Sequence, residues 1–170
     1  MADTGVVNFS ISILPAEIRK EFTGLAASYS PADTTEGWYF KITDVTTSSL
    51  NLISTETYLS KGGNARGNDT GSAMATISPS DKVKFLVVIH TGFRDDGTTI
   101  NKDSVYLTIS GNTAAHNGTD SIEIAHKGAW YSKMNNATVA DINVIIGQAN
   151  GAGTGSNKIQ CIVAAILDDV

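Results

Sequence analysis

Positions 82–91, KVKFLVVIHT, constrain this chain more than any other stretch, because nearly every central residue is apolar and four are valine or isoleucine. Pro79, Ser80 and Asp81 precede the run and Gly92 closes it, which favours a strand over a helix of the same composition. Val83, Phe85, Val87 and Ile89 fall on one face of that strand, while Leu86 and Val88 fill the other. The strand is therefore expected to be buried on both faces, with Lys84 and His90 near its ends. The comparable run is KIQCIVAAIL at 158–167. These two strands are expected at the centre of an antiparallel β-sandwich, with weaker strands and polar loops around them.

Upstream, VVNFSISIL at 6–14 alternates Val7, Phe9, Ile11 and Ile13 against Asn8, Ser10 and Ser12, the pattern of a half-buried strand. PAEIRKEFTGLAA at 15–27 predicts one short helix. Pro15 suits a first helical turn, Glu17 favours the positive end of the dipole, and Ile18 and Phe22 lie four apart before Gly24. A polar connector containing Pro31 follows at 29–36. This divides the chain into an extension, 1–36, and a β-sandwich domain, 37–170. In GWYFKIT, 37–43, Trp38, Phe40 and Ile42 share one face and Tyr39 and Lys41 the other. A weaker strand is expected over 50–59, then an exposed glycine-rich loop at 60–72 and a short strand at 73–78. After the central run, strands are expected around Val105 to Ile109, Ile122 to Ile124, 129–134 and 141–147, and a second glycine-rich loop, 147–157, leads into the last strand. Many short strands separated by turn signals, with one helical pattern, indicate an all-β antiparallel sandwich; jelly-roll and immunoglobulin-like topologies both fit.

Composition narrows the function classes. A chain of 170 residues buries roughly 70% of its unfolded surface without covalent staples. Twelve Lys and Arg against 17 Asp and Glu leave a net charge of −5 and no basic patch, which disfavours nucleic acid as a partner. No segment reaches 18 apolar residues, and the first residues lack a basic region followed by an apolar one, so neither a membrane span nor a signal peptide is expected. Synthesis in a cytoplasm is the corresponding expectation. The single cysteine, Cys161, lies within an apolar run and reads as a core thiol.

Motifs with chemistry are scarce. Gly151, Gly153 and Gly155 are spaced like a phosphate cradle, but the loop leads into a strand and lacks the Gly-Lys-Ser/Thr ending, so a hairpin loop is expected. Asp95, Asp96, Asn101 and Asp103 crowd one turn region and offer oxygens to a hard cation, yet their spacing matches no calcium loop. His90, His116 and His126 lie in three segments without metal-ligand spacing. No serine sits in a nucleophile elbow, and no cofactor motif is present, so a non-enzymatic protein without cofactor or metal is expected. Trp38, Tyr39, Trp130 and Tyr131 are candidates for a sugar-stacking platform, set against the alternative that one of each pair belongs to the core.

DSVYLTISGNTAAHNGTDSIEIAHKGAWYSKM, followed by ATVADINVIIGQANGAGTGSNKIQCIVAAILDDV, resembles capsid decoration and auxiliary head proteins of tailed phages that infect marine cyanobacteria. The likeness spans residues 80–170 and rests on the DKVKF segment, NGTDSIEI, the TVAD turn, the G-x-G-x-G loop and the VAAILDD ending. It implies a structural, cement-like protein on the outer capsid surface of a virion, bound to the major capsid protein and stabilising the assembled head. A homo-oligomer, with a trimer as the leading expectation, belongs to the same inference. The alternative is a carbohydrate- or receptor-binding module of a phage head or tail appendage. For the capsid contact the candidate is an N-terminal arm, with Val7, Phe9, Ile11 and Ile13 adding a strand to a neighbour's sheet edge. The other possibility is that these four side chains complete the chain's own core.

Overall fold

The computed structural model describes the backbone of residues 5–8, 26–29, 36–53, 57–60, 74–114, 120–147 and 158–168. The strands are β1 (Gly5–Asn8), β2 (Ala26–Tyr29), β3 (Glu36–Val45), β4 (Leu50–Asn51), β5 (Thr57–Ser60), β6 (Met74–Thr76), β7 (Lys82–His90), β8 (Val105–Thr108), β9 (Ile122–Ile124), β10 (Ala129–Lys133), β11 (Asn143–Ile146) and β12 (Ile159–Asp168). All their ladders are antiparallel. A six-stranded sheet runs β10-β7-β12-β3-β5-β6, a four-stranded sheet runs β4-β11-β8-β9, and β1 and β2 form a pair of their own. The two most apolar runs, β7 and β12, lie side by side within the larger sheet. Each has strands on both sides, so its backbone amides and carbonyls find partners along both edges.

The two larger sheets share one core. Val83, Leu86, Val88, Cys161, Val163, Ala165 and Leu167 from the six-stranded sheet join Val105, Leu107, Ile124, Val144 and Ile146 from the four-stranded sheet in a single buried cluster. Full burial of a side chain such as Leu86 or Leu107 contributes about 1.5–3 kcal/mol, so this cluster supplies much of the driving force for closing the two sheets together.

The two faces of β7 differ from the sequence expectation. The ladder to β12 pairs Ile166 with Phe85 but Leu167 with Val83, so Lys84 is the extra residue of a β-bulge. The bulge moves Val83 to the side of Leu86 and Val88, in the core, and leaves Phe85, Val87 and Ile89 on the opposite side. Phe85 is buried there, but Val87 and Ile89 are only half-buried, so β7 is not covered on both faces along its whole length. Lys84 itself reaches Asp168 at 2.9 Å.

The stretch 50–59, expected as one strand, is split between sheets. β4 joins β11 and β5 joins β3, and the chain crosses from one sheet to the other between them. Leu52 and Ile53 are buried at that crossing, where the Leu52 amide donates to the Ile142 carbonyl and the Ile53 amide to Asn51 Oδ1. Ala26 and Ala27, the end of the expected helical stretch, are in β2 instead. The rest of that stretch lies outside the described residues.

A 3₁₀ turn, Val139–Asp141, ties the two sheets together. Its Val139 amide donates to the Asp81 carbonyl, just before β7, while its Val139 carbonyl accepts from Asn51 Nδ2 on β4. Asp141 holds the turn by accepting from the Thr138 amide at 2.7 Å and the Thr138 hydroxyl at 2.9 Å.

Candidate interaction surface

The face of the six-stranded sheet turned away from the four-stranded one is apolar over three rungs. Directly paired residues share a face, so the registers place Tyr131, Val87, Ala164 and Phe40 in one row across β10, β7, β12 and β3. The next row is Ala129, Ile89, Ile162 and Ile42, and the preceding one is Lys133, Phe85, Ile166 and Trp38. Lys133 is the single charged residue among these twelve positions. Burial is greatest in the middle of the row from Lys133 to Trp38, where Phe85 and Ile166 are buried; Trp38, Tyr131, Val87, Ile89, Ile162 and Ala164 are half-buried, Ala129 and Lys133 are exposed, and Phe40 and Ile42 are 60% and 50% exposed. Asp44 on β3 and Gln160 on β12 form the polar row beyond.

Strand spacing sets the size of this patch. Four strands by two open rows cover about 250 Å², no more than monomers ordinarily expose, so what distinguishes the patch is the two large exposed side chains, Phe40 and Ile42. The patch exists because β3 turns its most apolar face outward. Tyr39, Lys41, Thr43 and Val45 occupy the core side instead, since the ladder sets them beside Ala165, Val163, Cys161 and Ile159. Alternation in GWYFKIT marks the two faces but not which one points inward. The four-stranded sheet covers only one side of its larger partner, so residues on the other side of β7, β12 and β3 share a surface that no single strand's pattern reveals.

Of the contact residues read from sequence, Val7 lies in β1 opposite Ala27. Phe9, Ile11 and Ile13 lie outside the described residues, as does most of the glycine-rich loop, 148–157. The four aromatics do not form one platform. Trp38 and Tyr39 are on β3 and Trp130 and Tyr131 on β10, three strand spacings or roughly 14 Å apart. Trp130 packs against the core cluster, to which Tyr39 belongs, while Trp38 and Tyr131 share the outer face.

The acidic turn serves its own loop. Asp96 accepts from the Thr98 and Thr99 amides and from the Thr99 hydroxyl, and the hydroxyl bond leads the effects that hold its carboxyl down at about 2. Asp95 pairs with Lys158 at 3.3 Å, and Asn101 Oδ1 accepts from the Asp103 amide. Among the described residues no three His, Cys, Asp or Glu side chains converge as metal ligands. Cys161 is fully buried, and burial, with Asp44 nearby, pushes its thiol up to about 12. Such a thiol is protonated and inert at neutral pH.

One groove, of about 400 Å³, opens between the turn after β8 and the segment after β10. Ile109 and Met134 give it apolar contact, and Ser110, Lys133, Asn136 and Asp141 give it polar groups. Comparison of the chain with known protein families, curated proteins and solved structures found no match.

Proposed function

We propose that this chain is a non-enzymatic virion structural protein that binds the outside of a phage head and stabilises the assembled shell. The domain is read as a β-sandwich, jelly-roll or immunoglobulin-like, acting as an oligomeric cement, with a trimer the leading form. The observation that carries the contact is the outward apolar face on which Phe40 and Ile42, two large side chains of β3, are exposed. The resemblance of residues 80–170 to head decoration proteins supplies the partner, the major capsid protein, and the N-terminal arm (Val7, Phe9, Ile11 and Ile13) is a second proposed contact.

Magnitudes favour a multivalent mode of binding. Burying a footprint of about 250 Å² yields at most about 6 kcal/mol gross from this side of the contact, because Val87, Ile89, Ile162 and Ala164 are already half-buried. Association costs of 4–15 kcal/mol consume most or all of that. One patch is therefore weak, whereas an oligomer presenting several patches to a symmetric lattice gains from effective concentration. At a hundredfold excess over Kd, each occupied site stabilises the shell by about 2.7 kcal/mol.

Sedimentation with capsids stripped of the native protein tests this. The double variant Phe40→Ser, Ile42→Ser is expected to keep its melting curve and lose at least tenfold in capsid affinity, while deletion of residues 1–14 reports on the arm. Full occupancy by both variants would overturn the proposed contacts, and failure of the intact chain to bind capsids would overturn the function. The second reading, a carbohydrate-binding module, is favoured by the polar groove at Ser110, Lys133, Asn136 and Asp141. A glycan array distinguishes it: signal abolished by Asn136→Ala supports a sugar site, and a blank array removes it.

A further inference from the structure

His90 ends β7 with its imidazole fully buried, and both ring nitrogens are committed to backbone partners. The Gly92 amide donates to Nδ1 at 2.9 Å, and Nε2 lies 2.9 Å from the Asp103 carbonyl. An amide can only donate and a carbonyl can only accept, so Nδ1 must be bare and Nε2 must carry the hydrogen. The neutral tautomer is thus dictated by its surroundings. His126 meets His90 edge-on, with ring centroids 5.6 Å apart, and its Nδ1 donates to the Asn101 carbonyl at 2.8 Å.

These bonds fasten the loop between β7 and β8 at its root. The Asn101 amide donates to the Gly92 carbonyl, and Asp103 is tied to Asn101, so the two loop ends close on each other across His90. Between them, residues 95–100 are exposed. The sheet also holds this loop through Gln160, whose amide donates to the Phe93 carbonyl, and through the Lys158–Asp95 pair, but the bond at the Gly92 corner depends on an imidazole that must stay neutral.

We propose that His90 is an acid-released latch. A proton taken from solvent onto Nδ1 breaks the bond from the Gly92 amide and weakens the closure of the loop 92–103 while both sheets remain folded. The charged groups around it act in opposite directions. Burial disfavours the imidazolium most, and a charged His126 opposes it further; Lys127, whose side chain packs over Gly92, adds positive charge. Asp103 favours the imidazolium, and Cys161, opposite on β12, contributes no charge because its thiol is protonated.

Hydrogen exchange on the full chain tests the latch, with rates corrected for the intrinsic pH dependence of amide exchange. Peptides covering 92–103 are expected to lose at least tenfold in protection between pH 7.5 and 5, while peptides from β12 keep theirs. In ¹⁵N spectra the His90 ring is expected to hold its hydrogen on Nε2 at pH 7.5 and to titrate below 6.5. His90→Asn leaves an acceptor near the Nδ1 position but nothing to titrate, and should abolish the pH dependence of the loop; His126→Asn should retain it. Flat loop protection, an equal loss in β12, or an Nδ1-protonated His90 at pH 7.5 would each overturn the proposal, and the wild-type spectra decide it even where His90→Asn does not fold.

Discussion

Gly92 adopts a φ of 91° where β7 enters its loop, and a Cβ there would lie 2.9 Å from Lys127 Cγ and 3.0 Å from His126 Cε1. Both the backbone conformation and the space call for glycine. Gly92→Ala is expected to destabilise the protein by about 1–3 kcal/mol, measured by urea denaturation; a loss below about 0.5 kcal/mol would mean that the corner relaxes. Cys161, the single cysteine of the chain, lies in β12. With its thiol pushed up to about 12 and no exposed surface, it is expected to resist a thiol reagent such as dithionitrobenzoate at pH 8 and to react at once in denaturant. Rapid labelling of the native chain would contradict the burial of β12. The buried cysteine is legible in the sequence from its apolar neighbours. The requirement at Gly92 is not, because it comes from His126 and Lys127, more than thirty positions away.

β3 and β7 belong to the same six-stranded sheet. Both have alternating apolar positions, but their positions in the sheet give the alternation different meanings. Leu86 on the core side of β7 is completely buried, and Leu86→Ala is expected to cost about 2–5 kcal/mol. Phe40 on the outer side of β3 is 60% exposed, and Phe40→Ser is expected to change stability by no more than about 0.5 kcal/mol in the same urea assay. A large loss from Phe40→Ser would show that this face is covered in the native protein and would remove the interaction surface. The element boundaries followed the sequence closely for β3, β7, β8, β9, β10 and β12, where β-branched and aromatic residues concentrate between turn signals. They failed at 50–59, because Leu52 and Ile53 are apolar for a crossing between sheets and not for a continuous strand. They also failed at Lys84, because a bulge is specified by the partner strand's register.

For the molecule as a whole, the buried His90 gives stability a pH dependence with a definite sign. Burial lowers its folded-state pKa from the ordinary 6.5. Below 6.5 the unfolded chain takes up a proton that the folded chain resists, so stability is fully present above that pH and declines as pH falls through the folded-state value. The urea midpoint is expected to drop between pH 7 and 5, and His90→Asn should flatten that part of the curve. A midpoint that rises toward pH 5 in the wild type would contradict a neutral buried imidazole. The class of fold was written locally: period-two alternation, β-branched runs and frequent glycine favour short strands with two dominant apolar ones among them, since the period of a secondary structure is a local property. Which sheet each strand joins, which face of β3 turns outward, and which loop His90 contacts follow from long-range packing. Each depends on pairing register and packing between residues tens of positions apart, and a one-residue change of register exchanges the buried face for the exposed one.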